Sequence, residues 1–220
     1  DAIRIDDTVT GAPVVISGCT VRNYTNRFVY VSLSGKIESL TIDDCIFIGA
    51  DNSTTNKAIY ASSAHTQVET LSVTNSTFLN FNTGSNYFFR INCGEELVLM
   101  PVVLIDHCTF YNCYDRRGVY LYNAGRSTIK NCISAFSERR DDTKSFTAYG
   151  DESIVKNVIS YNVDLYGSAP KENIISKNPL FVDAENGNFQ LYKDSPAVGA
   201  GDDGSDLGDP RWGVSTENAP

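Results

Sequence analysis

Five short segments of this 220-residue chain carry the residue types from which recognition chemistry could be built: RFVYVSL from Arg27, KAIYASS from Lys57, NYFFRIN from Asn86, RGVYLYN from Arg117 and KSFTAYG from Lys144. Aligned, they open on Arg27, Lys57, Asn86, Arg117 and Lys144, and three residues on they carry Tyr30, Tyr60, Phe89, Tyr120 and Thr147. Aromatic faces stack on sugar rings, while guanidinium and ammonium groups meet carboxylate or sulfate, bidentately where the cation is arginine. Rings bordered by cations therefore suit an acidic polysaccharide, with Tyr30, Tyr60, Phe89, Arg116, Arg27 and Lys57 as its contacts. The competing reading is ordinary ring stacking within a sheet. The arginine pairs Arg116-Arg117 and Arg139-Arg140 read equally well as solvated loops salt-bridged to Asp115, Asp141 or Asp142.

Other constellations carry less. Asp43 and Asp106 are a candidate carboxylate pair for glycoside hydrolysis, although corner aspartates usually just bind the bend's backbone. Calcium is the one ion the run DDGSDLGD could hold, through Asp202, Asp203, Asp206 and Asp209. Its spacing does not follow an EF-hand loop, and a turn-rich cap is the simpler reading. No two of the six cysteines have CxxC spacing, and His65 and His107 do not stand at ligand spacing from them, which argues against zinc. No metal site is assigned.

The elements that must position these residues are strands in a repeating frame. An aliphatic residue, two turn residues, a small residue and an apolar residue two further on recur seven times. The aliphatic column reads Ile16, Ile42, Val73, Ile105, Ile129, Val155 and Ile175. The small column reads Cys19, Cys45, Ser76, Cys108, Cys132, Val158 and Asn178, and the apolar column Val21, Phe47, Phe78, Phe110, Ser134, Ser160 and Leu180. Before each small residue stands Gly18, Asp44, Asn75, His107, Asn131, Asn157 or Lys177, a column rich in residues that tolerate a left-handed backbone. Period-two alternation, no sustained helical pattern and a bend at one corner predict an all-β parallel β-helix of about seven coils, its rungs about 4.8 Å apart.

In that frame Cys19, Cys45, Cys108 and Cys132 form an inward ladder of reduced thiols, while Cys93 and Cys113 fall outside it and are read equally as a pair or as free thiols. The cation-and-ring segments supply another strand per coil, with Val29, Ile59, Phe88, Val119 and Phe146 facing in and the aromatic column facing out. Four rings on consecutive rungs make a strip about 15 Å long. Arg90 then falls on an inward position, which requires either a carboxylate partner or a register shift in the third coil.

The chain is 41% hydrophobic, enough for one elongated domain, with coils over residues 1–182 and a final coil plus acidic C-terminal cap over 183–220. The latter segment carries −6 of the net charge of −9, so the body is nearly balanced and broad nucleic-acid binding is not supported. No run of eighteen apolar residues exists to span a membrane. The chain opens at once on strand-like AIRI, which predicts a cap or further domain upstream of Asp1.

From Asn178 the chain leaves the repeat, through NPLFVD, then NFQL, DSPA and GAG. With the recurring I-x-x-C-x-F-x-N frame, this run resembles secreted right-handed β-helix proteins of the pectate-lyase-like, chondroitinase-B-like group found in Bacteroidetes polysaccharide utilisation. The resemblance implies a secreted, periplasmic or cell-surface setting and a poly- or oligosaccharide partner. It also implies a lyase reaction, in which the proton next to a uronate carboxylate is abstracted after calcium or arginine has neutralised that charge. No catalytic motif of the group matches residue by residue. The nearest materials are Arg117 or Arg116 to neutralise, Lys144 as base and Tyr120 as acid, provided that Arg117 and Lys144 share a face.

The preferred expectation is thus an extracytoplasmic β-helix that binds an acidic polysaccharide and can be extended to its cleavage by β-elimination. A non-catalytic glycan-binding or cell-surface module and a two-carboxylate glycoside hydrolase stand as alternatives.

Overall fold

The structure, a computed structural model, describes residues 1–6, 11–24, 26–32, 36–49, 57–61, 67–82, 87–92, 101–122 and 124–220. Among these, the chain is all-β apart from two short 3-10 turns, and it coils into a parallel β-helix with three walls. Among the described residues, no helix is long and apolar enough to cross a membrane.

The first wall stacks Ile3–Ile5, Arg27–Val31, Lys57–Ala61, Phe89–Asn92, Val119–Tyr122, Lys144–Ala148 and Asp164–Tyr166 in parallel. The second stacks Val14–Ser17, Lys36–Asp43, Gln67–Thr74, Val102–Asp106 and the leading halves of Arg126–Ala135 and Ile154–Tyr161, with Lys171–Ile175 last. The third comprises Thr20–Val21, Ile46–Ile48, Thr77–Leu79, Thr109–Tyr111 and the trailing halves of Arg126–Ala135 and Ile154–Tyr161.

The bend between the second and third walls is where the repeat predicts it. Gly18, Asp44, Asn75, His107, Asn131 and Asn157 all have positive φ, between 49° and 64°. Five residues on, Asn23, Asn80, Asn112 and Asn162 repeat that conformation at a second corner, which explains the asparagine closing the frame. In the small column, Cys45, Cys108 and Cys132 are fully buried free thiols and Cys19 is half-buried. Each thiol donates to the carbonyl two residues earlier, across the bend, at 2.9–3.4 Å, and Ser76 does the same through its hydroxyl at 2.7 Å. The column thus selects a side chain that packs as a small hydrophobe yet still carries a donor. Cys113 is a buried free thiol, and Cys93 lies outside the described residues.

One column further in, Phe47, Phe78 and Phe110 stack face to face at 4.7 and 4.8 Å, the spacing of the rungs themselves. The seventh repeat departs from the expected register. Val155 pairs with Lys171 and Val158 with Ile174, so the last bend is Asn173 (φ 50°) rather than Lys177, and Ile175, Asn178 and Leu180 do not occupy the frame. Asn173 is the better left-handed residue, and that preference overrides the aliphatic match four residues later.

Nor does the C-terminal segment make a further coil. Phe181–Asp183 and Asn188–Leu191 form an antiparallel hairpin, and the chain then runs back across the outside of the third wall. That wall is apolar on both faces, because Phe47, Phe78 and Phe110 point inward while Ile48, Leu79, Tyr111, Ile133 and Ile159 point outward. Phe189, Leu191, Ala197 and Leu207 close over the outward set and form a second hydrophobic core. Gly208 lies so close to the wall that a Cβ there would meet Thr109 Oγ1 at 2.7 Å and Ile133 Cδ1 at 2.9 Å.

Candidate functional site

The first wall brings the cations and rings together, in an order the sequence alignment missed by one residue. Phe89, not Phe88, pairs with Ile59 and Val119, and Arg90 pairs with Tyr60 and Tyr120. Phe89 is therefore fully buried and is withdrawn from the outer face, and Arg90 takes the place expected for it. The outward column reads Arg4, Tyr30, Tyr60, Arg90, Tyr120, Thr147 and Tyr166. Two residues before Phe89, Tyr87 stands where Lys57 and Arg117 stand on neighbouring rungs. Ring and cation have exchanged columns in this rung, so the alternation along the wall survives.

The cause is visible in the neighbouring strands. Phe28-Val29 and Ala58-Ile59 are both buried pairs, because the chain turns a corner as it enters the wall and two consecutive side chains point inward. Phe88-Phe89 is the matching pair, with Phe88 packed on Phe81 and Phe110. Of the two ways to avoid an inward unpaired Arg90, a carboxylate partner or a register shift, the third rung takes the shift.

The resulting strip is continuous. Ring centroids run Tyr30 to Tyr60 at 6.0 Å, Tyr60 to Tyr87 at 6.1 Å and Tyr87 to Tyr120 at 5.8 Å, the last pair stacked. Guanidinium groups lie over the rings: Arg27 is 3.5 Å from Tyr30, Arg90 is 4.5 Å from Tyr87, and Arg117 is 4.7 Å from Tyr120. Arg90 also reaches Tyr60 and Tyr120 at about 6 Å and donates from Nη1 to the Tyr87 hydroxyl. Cation–π contact of this kind orients the planar group and is worth about 0.5–2 kcal/mol, depending on burial. The ring faces are thereby occupied by cations, and the strip offers guanidinium edges to a partner more than bare faces.

Acids stand at the two ends. Asp1 holds Arg27 through two bonds of 2.8 and 3.2 Å, and Asp164 holds Lys144 at 3.2 Å and Arg139 at 3.0 Å. Between them, Arg4, Arg90 and Arg117 have no carboxylate in ion-pairing range among the described residues. Burial lowers the pKa of Lys57, opposed by Asp115 and Tyr60 and assisted by the charges of Arg27 and Arg90. Burial raises that of Tyr87 against the pull of Arg90.

This rearranges the expected catalytic set. Arg117 and Lys144 do share the wall, on neighbouring rungs. Lys144, however, is held by Asp164, and Tyr120 is only 6% exposed, covered by Tyr87, Tyr122 and Arg117. Lys57, Tyr60, Tyr87 and Arg90 form the more open centre. Arg116 is exposed at its border. Arg139 and Arg140 pair with Asp141, Asp164 and Glu138, as solvated loops do.

The candidate carboxylates elsewhere have partners of their own. Asp43 and Asp106 sit two rungs apart in one column and each accepts from an asparagine of the next bend, Asn75 at 2.9 Å and Asn131 at 3.0 Å. They bind side chains of the bends rather than the backbone. Asp202 is bound by Asn131, Lys130 and Lys156, Asp203 by Ser205, Asp206 by the Gly199 N–H, and Asp209 by Thr77 and Arg211. These carboxylates fasten the terminal segment to the corner of the solenoid. Among the described residues, no group of three or more His, Cys, Asp or Glu side chains could hold a metal ion.

No curated protein matches the chain. A family model described as a domain of unknown function (DUF4957) matches residues 5–81, the first three rungs. A second, also described as a domain of unknown function (DUF5123), matches residues 103–212, from the fourth rung to the tryptophan that pins the terminal segment. With half of its residues covered by that second model, the chain belongs to the DUF5123 family.

Proposed function

We propose that this protein binds an acidic polysaccharide along the outer face of its first wall, in an extracytoplasmic setting such as that of the pectate-lyase-like group. The observation that carries the reading is the pair of guanidinium groups on neighbouring rungs, Arg90 and Arg117, for which no carboxylate lies in ion-pairing range among the described residues, on a chain of net charge −9. Guanidinium groups held over rings, with no carboxylate partner among the described residues, keep N–H donors that an anion can complete with charge-assisted hydrogen bonds. Neighbouring rungs about 4.8 Å apart present Arg90 and Arg117 at a spacing comparable to the repeat of a sugar chain.

Affinity electrophoresis tests this with polygalacturonate, chondroitin sulfate and dextran. Retardation by the charged polymers that weakens with salt, and none by dextran, is the expected result. Equal retardation by all three, or none, removes the proposal.

A second reading, cleavage by β-elimination, is favoured by one observation. Lys57 is the lysine of this wall whose proton is loosened by burial and by Arg27 and Arg90, and it lies 5.5 Å from the Tyr87 ring. In that reading Arg90 neutralises a uronate carboxylate and Lys57 is the base. Ultraviolet absorbance of an unsaturated product, abolished in Lys57→Met, is its signature. Binding without such absorbance leaves the binding module alone.

A further inference from the structure

On the opposite side of the solenoid, the bend column of Gly, Asp and Asn is broken by one imidazole, His107. Its Nδ1 is 2.8 Å from Asp106 Oδ1, and its Nε2 is 2.7 Å from Ser205 Oγ, on the terminal segment that crosses the wall. His107 and Ser205 both line a cavity of about 410 Å³ whose apolar walls include Phe189, Trp212 and Ile133. A carboxylate, an imidazole and a hydroxyl joined in this order are the parts of an activated serine nucleophile, recognised by geometry and not by fold.

We propose that Ser205 is a nucleophile with His107 as its general base and Asp106 as the positioning residue, and that the cavity accepts a small carboxylic ester. Ser205 Oγ bonds to the acyl carbon as its proton passes to His107 Nε2. The acyl C–O bond then breaks, and the departing alkoxide takes that proton. Water attacks the acyl-serine by the same route, releasing the acid and restoring the hydroxyl.

The hydroxyl has a second acceptor, Asp203 Oδ1, and this sets the pH dependence. When His107 is charged, its Nε2–H points at Ser205 Oγ and the hydroxyl turns to Asp203. When His107 is neutral, with Nδ1–H held by Asp106, its Nε2 lone pair receives the serine proton. The hydrogen bond and charge of Asp106, with the charge of Asp203, raise the imidazole pKa, while burial and Lys130 oppose them. Reactivity therefore rises with pH through the His107 titration. Nothing in this depends on the anion-binding wall.

The test uses the full chain, a fluorophosphonate probe and p-nitrophenyl acetate, with mass analysis of the labelled peptide. Label on Ser205, faster at alkaline pH and absent in Ser205→Ala, is expected. His107→Asn keeps a residue that the bend accepts at Asn75 and Asn131, so it folds, and its labelling should fall about a hundredfold or more. Asp106→Asn should move the pH limb downward, which a purely structural role for Asp106 would not do. No label on Ser205 in the folded protein, or labelling unchanged in His107→Asn, overturns the proposal.

Discussion

The outer faces of the first and third walls belong to the same rungs, yet they are finished in different ways. The third wall carries Ile48, Leu79, Tyr111, Ile133 and Ile159 outward, and the chain covers them with its own last forty residues or so. The first wall carries arginines and tyrosines outward, and among the described residues Tyr30, Tyr60, Tyr87 and Arg90 stay half-buried. Interior columns are constrained by stacking, like over like, whereas outward columns are free to specify what lies against them. The apolar outward column is closed by protein, whereas on the proposed function the column of oriented cations takes an anion.

Substitutions can break that contrast. Phe189→Ala removes a ring packed between Tyr111, Phe181 and Trp212 beneath the terminal segment, and should cost about 3–5 kcal/mol in chemical denaturation. Tyr30→Ala on the first wall should cost only about 1 kcal/mol. Equal costs would mean that the first wall is also structural at its surface.

Arg90→Gln should invert the pattern, weakening binding to polygalacturonate by roughly 1.5–3 kcal/mol, the worth of charged hydrogen bonds, while leaving stability nearly intact. Arg90 Nε is buried without a hydrogen-bond partner among the described residues, so losing the charge relieves a desolvation cost. A large stability loss with unchanged binding, by calorimetry, would assign Arg90 to the fold.

The third-wall interface should also be the pH-sensitive one. Asp106 is raised by burial but pulled lower overall by His107, Lys130 and Asn131, and Asp202 is held well below its usual 3.8 by Asn131, Lys156 and Lys130. Depressed carboxyls contribute stability that is complete above 3.8 and lost as pH falls through their folded values. His107, raised from 6.5 chiefly by its bond to Asp106, contributes stability that is complete below 6.5 and lost as pH rises through its folded value. Asp209, raised by burial, works against the carboxylates as it loses its proton. The terminal segment should thus be held most tightly between about pH 3.8 and 6.5, and in His107→Asn the alkaline decline in denaturation midpoint should flatten. The smallest effect belongs to Arg116→Ala, exposed at the border of the first wall, which should change stability by less than about 0.5 kcal/mol in thermal melts.

The coil was legible wherever a position is filled in every rung. The bend column, the thiol ladder and the inward phenylalanines could be read because each column admits few residue types. The third rung of the first wall was nearly legible: aligning Phe88-Phe89 on Phe28-Val29 and Ala58-Ile59 puts Tyr87 and Arg90 in their true columns. The covering of the third wall had a signal too, in short strands such as IFI and TFL that are apolar on both faces and so cannot meet water.

What the amino-acid order determined alone is the rung: its bends, its interior and its period, all local consequences of backbone preference and two-residue alternation. Tertiary structure decided what rests on the outside. Asp202 reaches Lys130 and Lys156, Ser205 reaches His107, and Arg211 reaches Asp44 across separations of about 46 to 167 residues. No local preference encodes such pairings, because they arise when a long segment folds back onto whatever face the stacked rungs leave apolar.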